Sequence, residues 1–479
     1  MKQIGTTAAF STHFRASSSR SSEGGILNRL LEPSRPLFWT TSTRQFATKK
    51  AKEPLLPMVT HCKDELLPEG FAKERTRLVT TVQEPKESGR CVVYWMQRDV
   101  RTEDNWALLL ATHAAQTSNV PLQVVYVLPP PPPPSSSSSS SSLQNDNDGQ
   151  ASPLPDKIMV TAPMTERYGK FMLGGLEHVH QELMERCVPL TVLMPQDGDN
   201  VGTAVMDWIN ERQPQMVVCD HSPLRHFRQW MENQTAPLLE TAGIPLVHVD
   251  AHNVIPVWHT SPKREVMART IRTKINKVVG SFLTDFPAFE GNSHLDKGKA
   301  DRIILPDFDT DTYANYLAWD DKVRAVEWAQ PGTKNAMKQY AKFVEEGLRQ
   351  FNDLRNDPNY RNVCSNLSPW INHGHVSFQR LALKTKALNK HANGTAAYIE
   401  EGLVRRELSD NYVYYTPDDY DELTGAAEWA QDSLELHSSD EREWVFSLEE
   451  LEHGKTHDDL WNAAELQLKQ EGKLHGFVS

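Results

Sequence analysis

Short apolar segments alternate with helical periodicity through residues 90–253, and this alternation restricts the fold more than any other feature of the chain. Five segments are rich in β-branched or aromatic side chains, which is typical of strands buried in a parallel sheet. They cover residues 91–95, 123–128, 190–193, 216–219 and 245–249. Helices are predicted at 106–115, 201–212 and 225–242, and also after Pro163, where Met172, Leu176, Val179 and Leu183 share one helix face. The pattern predicts a doubly wound α/β domain with a parallel sheet.

The chain changes character after about residue 253. Strand-like segments disappear, and helical periodicity returns at residues 333–351, 378–388, 395–411, 448–452 and 459–470. Residues 254–332 form a connection that Pro287, Pro306 and Pro331 interrupt in its second half. We therefore predict an all-α domain over residues 333–479, joined to the α/β domain by this connection.

Three segments are set apart from the predicted domains. Residues 1–52 hold nine Lys/Arg against two acidic residues and are rich in Ser and Thr, a composition typical of an organelle transit peptide. The string from Arg44 to Ala47 resembles a mitochondrial processing site, but mitochondrion and chloroplast are not separated, and a disordered tail on a nuclear protein is the alternative. Residues 53–89 are a lead-in, and 129–157 form a Pro- and Ser-rich insertion that we expect to loop out of the α/β domain.

The absence of several motifs argues against some common classes of protein. There is no GxGxxG after the first predicted strand and no GxxxxGK[ST], so neither a dinucleotide fingerprint nor a P-loop is expected. No apolar run reaches the roughly 18 residues of a membrane-spanning helix, and we expect no membrane association. The five cysteines include no CxxC pair, and no histidines stand at ligand spacing, so no disulfide framework and no metal site are expected.

Polar clusters follow the fourth and fifth predicted strands. They are Asp220 to Arg225 and Asp250 to Asn253. Because open α/β sheets bind ligands at the carboxyl ends of their strands, these clusters are candidate ligand contacts. His221 and His252 are equally consistent with histidines that have only a structural role in a loop.

Two constellations in the helical half carry possible chemistry. Ser365 and Ser368 precede a predicted helix, where hydroxyls and free backbone N–H groups hold an anion such as a diphosphate, or where a serine simply caps the helix. On a second helix, Glu401 and Arg405 form an i, i+4 pair, with further charges on the same face. That face is either solvated or directed at a specific partner.

Taken in order, the motifs resemble those of class II DNA photolyases. The strings that carry the resemblance are 94–96 with 105–108, 220–225, 249–253, 268–272, 355–358, 365–369 and 456–463. They lie between residues 90 and 479 in the order in which the family has them. The chain is therefore identified as resembling flavoproteins that repair cyclobutane pyrimidine dimers.

The resemblance implies an α/β antenna domain at 90–253, which holds a deazaflavin or folate chromophore, and a helical FAD-binding domain at 333–479. Reduced FAD, excited by light, would reverse the dimer, and the flipped-out lesion would enter a pocket of this domain. The implied partner is DNA containing such dimers, bound by a monomer. The formal net charge of −12 does not exclude DNA, because phosphate contacts require only a local basic patch.

Individual roles are implied by matching positions. Phe351 stands where the family has a tyrosine, and with Ser365, Asn366, Leu367, Ser368, Arg406 and Glu407 it would contact FAD. Arg355 and Arg405 would contact DNA. Glu401 would hydrogen-bond the dimer from a water-poor pocket that raises its pKa. Trp461 matches a tryptophan of the family's electron relay.

Family members continue beyond the region that matches Lys473–Gly476, whereas this sequence ends at Ser479. The missing segment carries groups around the flavin ring and two relay tryptophans, so we expect the helical domain to be incomplete and the chain as given not to repair DNA. The alternative hypothesis is a cryptochrome-like protein that binds damaged DNA or a protein partner without repairing it.

Overall fold

A mixed six-stranded sheet forms the first half of the protein. The computed structural model describes residues 59–131, 164–198 and 200–478. The strands are β1 (Thr76–Leu78), β2 (Cys91–Met96), β3 (Leu122–Val127), β4 (Leu190–Leu193), β5 (Pro214–Asp220) and β6 (Leu246–Val249). The five predicted strands are confirmed as β2 to β6 with shifts of one or two residues at their ends. The proposed transit peptide and most of the insertion lie outside the described residues.

The strand order is β1-β6-β5-β2-β3-β4, and every pair is parallel except β1 with β6. β1 lies in the stretch interpreted as a lead-in. Its antiparallel register places Arg77 opposite His248. A three-residue strand is too short to show a period of two, which is why sequence analysis missed it.

Both faces of the sheet are covered, as the prediction of a doubly wound domain requires. Alternate residues of β2 point to opposite faces: Tyr94 packs in a core cluster with helix α1, and Trp95 packs in another with helix α3. The helices of this half are α1 (Trp106–Thr117), α2 (Glu166–Met184), α3 (Val201–Arg212), α4 (Arg225–Arg228) and α5 (Ala236–Ala242). A π-helical segment, Gln229–Thr235, interrupts the single helix predicted at 225–242.

The connection contains α6 (Val257–Thr260), α7 (Ala268–Phe282), α8 (Lys297–Ala300) and α9 (Thr310–Leu317). The helical half then contains α10 (Thr333–Glu346), α11 (Phe351–Leu354), α12 (Ser368–Asn372), α13 (Phe378–Ala387), α14 (Ala392–Ile399), α15 (Arg406–Tyr415), α16 (Glu428–Leu436), α17 (Leu448–Glu452) and α18 (Asp459–Glu471). A second π-helical segment, Glu400–Arg405, joins α14 to α15.

The helix predicted at 333–351 ends early because of a close backbone approach. A Cβ atom at Gly347 would lie 2.7 Å from the carbonyl oxygen of Val363 and 2.8 Å from that of Asn362. α10 therefore ends at Glu346, and the chain turns before α11. Among the described residues, no helix combines the length and apolar character needed to cross a membrane.

Candidate functional site

The loop between Cys364 and α12 has an unusual backbone conformation. Asn366 has a φ of 57°, in the left-handed region that asparagine tolerates better than most residues. The Oδ1 atom of Asn366 is buried and has no hydrogen-bond partner among the described residues. The carbonyl oxygen of Ser365 accepts a hydrogen bond from Gln339 Nε2 of α10 at 2.8 Å, which ties the loop to that helix. An unpaired buried acceptor at this position is available to a hydrogen-bond donor on a ligand.

Asn366 lines a cavity of about 450 Å³ between α10, this loop and the end of α18. Three cations, Lys342, Arg361 and Lys473, line the same cavity, against two carboxylates. Arg361 is paired with one of these, Glu471. Burial lowers the pKa of Lys473. The surplus of cations suits an anionic ligand.

The other predicted cofactor residues are not part of this cavity lining. Leu367 is fully buried in the helical core, and Ser368 is exposed at the start of α12, where Leu367 occupies the capping position without a side-chain hydrogen bond. Phe351 is buried, with its ring 5.5 Å from that of Phe343. A phenyl ring has no hydroxyl to direct at a phosphate, so apolar burial is its favoured state.

Arg406 and Glu407 face the sheet instead of the cavity. Glu407 is 2% exposed, and its Oε1 atom accepts hydrogen bonds from the backbone N–H groups of Val254 at 2.6 Å and Ile255 at 3.3 Å. Burial raises the pKa of Glu407 to about 8. Arg406 donates to the carbonyl oxygen of His252. The two residues therefore attach α15 to the loop that follows β6.

Arg355 and Glu401 form the charged surface next to the cavity. Arg355 Nε donates to Glu401 Oε1 at 3.3 Å, and the backbone carbonyl of Arg355 accepts from Cys364 Sγ, which lines the cavity, at 3.7 Å. The π-helical segment carries both Glu400 and Glu401, and π-helical turns are frequent at functional sites. The predicted charged face is therefore organised around specific ion pairs.

Two details of this surface differ from the sequence expectation. The Glu401 side chain is 39% exposed beside Arg355, whereas a water-poor pocket was expected. Arg405 lies 3.7 Å from Glu400 Oε1 with its side chain 57% exposed, so it remains available to solvent. Trp461 lies on α18, 47% exposed, and donates to the carbonyl of Leu451 at 3.3 Å.

A buried polar network that sequence analysis missed joins the two halves. Asp410 of α15 accepts hydrogen bonds from both terminal nitrogens of Arg98, at 2.8 and 2.9 Å, and one from Asn253 Nδ2 at 2.8 Å. Arg75, which precedes β1, is fully buried and donates to the carbonyl oxygens of Asp250, Asn253, Val254 and Phe282 and to Gln379 Oε1. The available signal for Arg98 was its position three residues after a predicted strand, whereas no sequence signal marked Arg75.

The strand ends carry a second, smaller cavity of about 300 Å³, lined among others by Gln97, Arg98, Tyr126, His226 and His252. Asp220 helps to shape it by accepting hydrogen bonds from the backbone N–H groups of Gln97, Arg98 and Asp99. Burial raises the pKa of Asp220 to about 7. His252 contacts Asp99 at 3.0 Å, and burial lowers its pKa to about 4. Residues of the two predicted polar clusters, 220–225 and 250–253, therefore line this smaller cavity.

The chain is similar to known DNA photolyases. The sequence profile of the DNA photolyase family matches residues 92–290. Relatives named deoxyribodipyrimidine photo-lyase from Potorous tridactylus and Arabidopsis thaliana are 36% and 35% identical to this chain, over 85% and 81% of it and 69% and 71% of their own lengths. One from Methanothermobacter thermautotrophicus is 31% identical, over 83% of this chain and 77% of its own.

Solved structures show the same fold at low identity. A class III photolyase from Agrobacterium tumefaciens superposes with a TM-score of 0.56 at 18% identity, covering 82% of this chain and 71% of the other. A photolyase from Sulfolobus tokodaii, whose structure contains two FAD molecules, gives 0.53 at 15% identity over 81% and 72%. The sequence identities over most of each relative establish that the chain belongs to the DNA photolyase family, and the solved structures share its fold.

Proposed function

We propose that this protein is a light-dependent lyase that repairs cyclobutane pyrimidine dimers in DNA with reduced FAD as its cofactor. The observation that carries the proposal is the adjacency of two features. Cys364 lines the cationic cavity and contacts the backbone of Arg355, whose side chain is paired with Glu401 on the neighbouring surface. A cofactor site and a lesion site are thus separated by a single contact.

The residues of the cavity fit FAD. Lys342, Arg361 and Lys473 suit a diphosphate, and Asn366 Oδ1 lacks the donor that a sugar hydroxyl or an adenine amine would supply. The chemistry that reduced FAD supplies when bound is electron donation on excitation by light. The protein binds and orients the cofactor through these side chains and presents the Arg355–Glu401 pair to the flipped lesion.

Cofactor binding is tested by titrating the purified chain with FAD at equilibrium and monitoring the flavin fluorescence. Lys342→Ala should weaken FAD binding by roughly tenfold, the worth of one charge-assisted hydrogen bond. Lys334→Ala is the matched control, because Lys334 lies on the same helix, is exposed and is not among the cavity residues. Equal affinities for the two variants would contradict the placement of FAD in this cavity.

Repair is tested with an oligonucleotide that contains one thymine dimer, in the presence of FAD and a reductant. Loss of the dimer in the light and not in the dark is the result that the proposal requires, and it would overturn the sequence-based expectation that the chain as given does not repair DNA. The absence of light-dependent repair by a protein that retains FAD would favour the second candidate function, a family member that binds damaged DNA or a protein partner without repair. The 39% exposure of Glu401 is the observation that favours this second candidate.

We further propose that an antenna chromophore, a deazaflavin or a folate, binds the cavity of about 300 Å³ at the strand ends. In support, this cavity is lined by residues that follow β2, β3 and β5, which is where open parallel sheets bind ligands. Reconstitution with each chromophore, followed by absorption spectroscopy of the desalted protein, distinguishes the two.

For localisation, we propose that the basic leader directs import into a mitochondrion or chloroplast. We also propose that the protein is a monomer. The mature protein should begin close to Ala47, and N-terminal sequencing of native material checks this. An intact Met1 would contradict the targeting proposal and favour the nucleus.

A further inference from the structure

Three potential metal ligands converge beside the sheet, and none of them lines either cavity described above. His221 follows β5, His248 lies in β6, and Glu232 lies in the π-helical segment Gln229–Thr235. One ligand atom from each lies within 4.8 Å of the other two. The distance from His248 Nδ1 to Glu232 Oε1 is 3.7 Å. Strand pairing and the wide helical turn bring together residues that no sequence motif links.

The two histidines lack the partners that buried polar groups normally have. His221 is 0% exposed and His248 is 1% exposed. Among the described residues, neither ring nitrogen of either histidine has a hydrogen-bond partner. Most buried polar side-chain atoms in proteins are satisfied, so two buried imidazoles without partners at one place point to a ligand that takes one nitrogen from each ring.

We propose that His221, His248 and Glu232 form a binding site for a divalent transition metal, with Zn²⁺ the best match. Two imidazole nitrogens and one carboxylate oxygen are a common ligand set for Zn²⁺, and water completes a tetrahedral site. Calcium and magnesium prefer oxygen ligands, which this site does not supply in number.

Two arginines at the site set its affinity. Arg228 contacts Glu232 Oε2 at 3.1 Å, and Arg77 contacts Oε1 at the longer distance of 3.4 Å. A metal bound to Oε1 displaces Arg77, whose side chain is 20% exposed and can turn towards solvent. Arg228 keeps Oε2 and orients the carboxylate, as partners outside the coordination sphere commonly do.

The site would connect the two halves of the protein. Tyr414 of α15 packs edge-on against His221 with ring centroids 5.6 Å apart, and Trp258 of α6 does so at 5.0 Å. A metal here holds β5, β6 and the π-helical segment in one arrangement and fixes the His221 ring that both helices contact. Its role is structural.

The test uses the full chain, stripped with a chelator and dialysed, then titrated with Zn²⁺ and with Co²⁺ as a spectroscopic probe. We expect one Zn²⁺ per chain by elemental analysis and a Co²⁺ absorption spectrum of four-coordinate type. His221→Phe and His248→Leu should each weaken binding by more than about tenfold, since loss of even an outer partner costs about 10–100-fold. His113→Leu is the matched control, because His113 is a half-buried histidine of α1 outside the cluster. This variant should bind Zn²⁺ as the unmodified chain does.

Two further variants keep the test decisive if the histidine variants misfold. Glu232→Gln preserves the shape of the side chain and should weaken Zn²⁺ binding. Arg77→Gln should strengthen it, because the competing cation is removed, and adventitious binding to surface histidines would not respond in this way. The proposal is overturned if the unmodified chain holds no stoichiometric Zn²⁺, or if Arg77→Gln and Glu232→Gln bind it as the unmodified chain does.

Discussion

The pKa values of two neighbouring carboxyl groups on α15, Glu407 and Asp410, shift in opposite directions because their surroundings differ. Burial raises the pKa of Glu407 to about 8, and Arg406 only partly offsets this effect. Burial also acts to raise the pKa of Asp410, but the bidentate Arg98 guanidinium reverses the effect and holds that pKa below its usual range. At the scale of single residues, a partner with good geometry therefore decides whether a buried carboxylate is charged.

The Glu407 environment predicts a measurable dependence of stability on pH. The folded-state pKa lies above the unfolded value of 4.5, so the native protein binds the additional proton between about pH 4.5 and 8. Its contribution to stability is present below this window and is lost as pH rises, by up to about 1.4 kcal/mol per pH unit. Glu407→Gln, which stays neutral, should flatten this decline in urea unfolding experiments at pH 6 and pH 9.

The control for that experiment is Glu435→Gln, because Glu435 is exposed on α16. It should leave the pH dependence of the unfolding free energy unchanged. A Glu407→Gln variant whose stability declines with pH as steeply as the control's would show that the carboxyl is charged in the folded protein.

A second residue-scale prediction concerns DNA. Arg355→Ala should weaken binding to dimer-containing DNA by about 1–3 kcal/mol and binding to undamaged DNA by less. The reason is that a contact at the lesion distinguishes damaged from undamaged DNA, whereas a phosphate contact attracts both equally. Fluorescence anisotropy with both duplexes measures the difference. Arg349→Ala, an exposed arginine before α11, is the control. Equal losses on both duplexes would assign Arg355 to non-specific phosphate contact.

At the scale of elements, the π-helical segment Glu400–Arg405 positions the charged surface because it packs closely on α13. Gly402 lies against the Phe378 ring so tightly that a Cβ atom there would overlap the ring. The Gly402 carbonyl also accepts a hydrogen bond from Arg406 Nε at 2.9 Å. The absence of a side chain at this position therefore sets where Glu400 and Glu401 lie.

Gly402→Ala should lower the free energy of unfolding by about 1–3 kcal/mol, the usual cost of overpacking a core. Gly280→Ala is the matched substitution, since Gly280 lies in α7 with no neighbour within 4 Å of an added Cβ. It should raise stability by about 0.5 kcal/mol through helix propensity. Thermal or urea unfolding of both variants measures the contrast, and similar stabilities would contradict the close packing at Gly402.

At the scale of the whole molecule, the α/β half and the helical half are joined by buried polar contacts as well as by apolar ones. Arg98 follows β2, Asp410 lies on α15, and Asn253 follows β6. Their mutual hydrogen bonds cross between the halves with side chains that are largely buried. Domain orientation thus depends on a few charged groups whose partners are far away in sequence.

Asp410→Asn should lower the free energy of unfolding by about 3 kcal/mol, because it leaves the Arg98 charge buried without its partner. Combining it with Arg98→Met should recover part of that loss, since the double variant buries no unpaired charge. Urea unfolding of the two single variants and the double variant gives the coupling energy. Additive losses would show that the two residues stabilise the protein independently.

Local pattern was sufficient for five of the six strands and for most helices, because apolar periodicity records which side of each element is buried. It was insufficient where a helix met an obstacle in another part of the chain. α10 ends at Glu346 because Gly347 approaches the backbone of Val363, and Gly402 sits within a π-helical turn against Phe378. Neither contact leaves a periodic signal in the sequence.

The sequence by itself determined the family, the α/β-then-helical order of the chain and the location of the charged residues around Glu401, since these follow from motifs and periods along the chain. Only the tertiary structure decided which side chains meet. It brought Asn366 to a cationic cavity and directed Glu407 towards the sheet, and it gathered His221, Glu232 and His248 at one point. The physical reason is that burial, pairing and coordination depend on distances in space. Those distances cannot be read from how far apart the residues are along the chain.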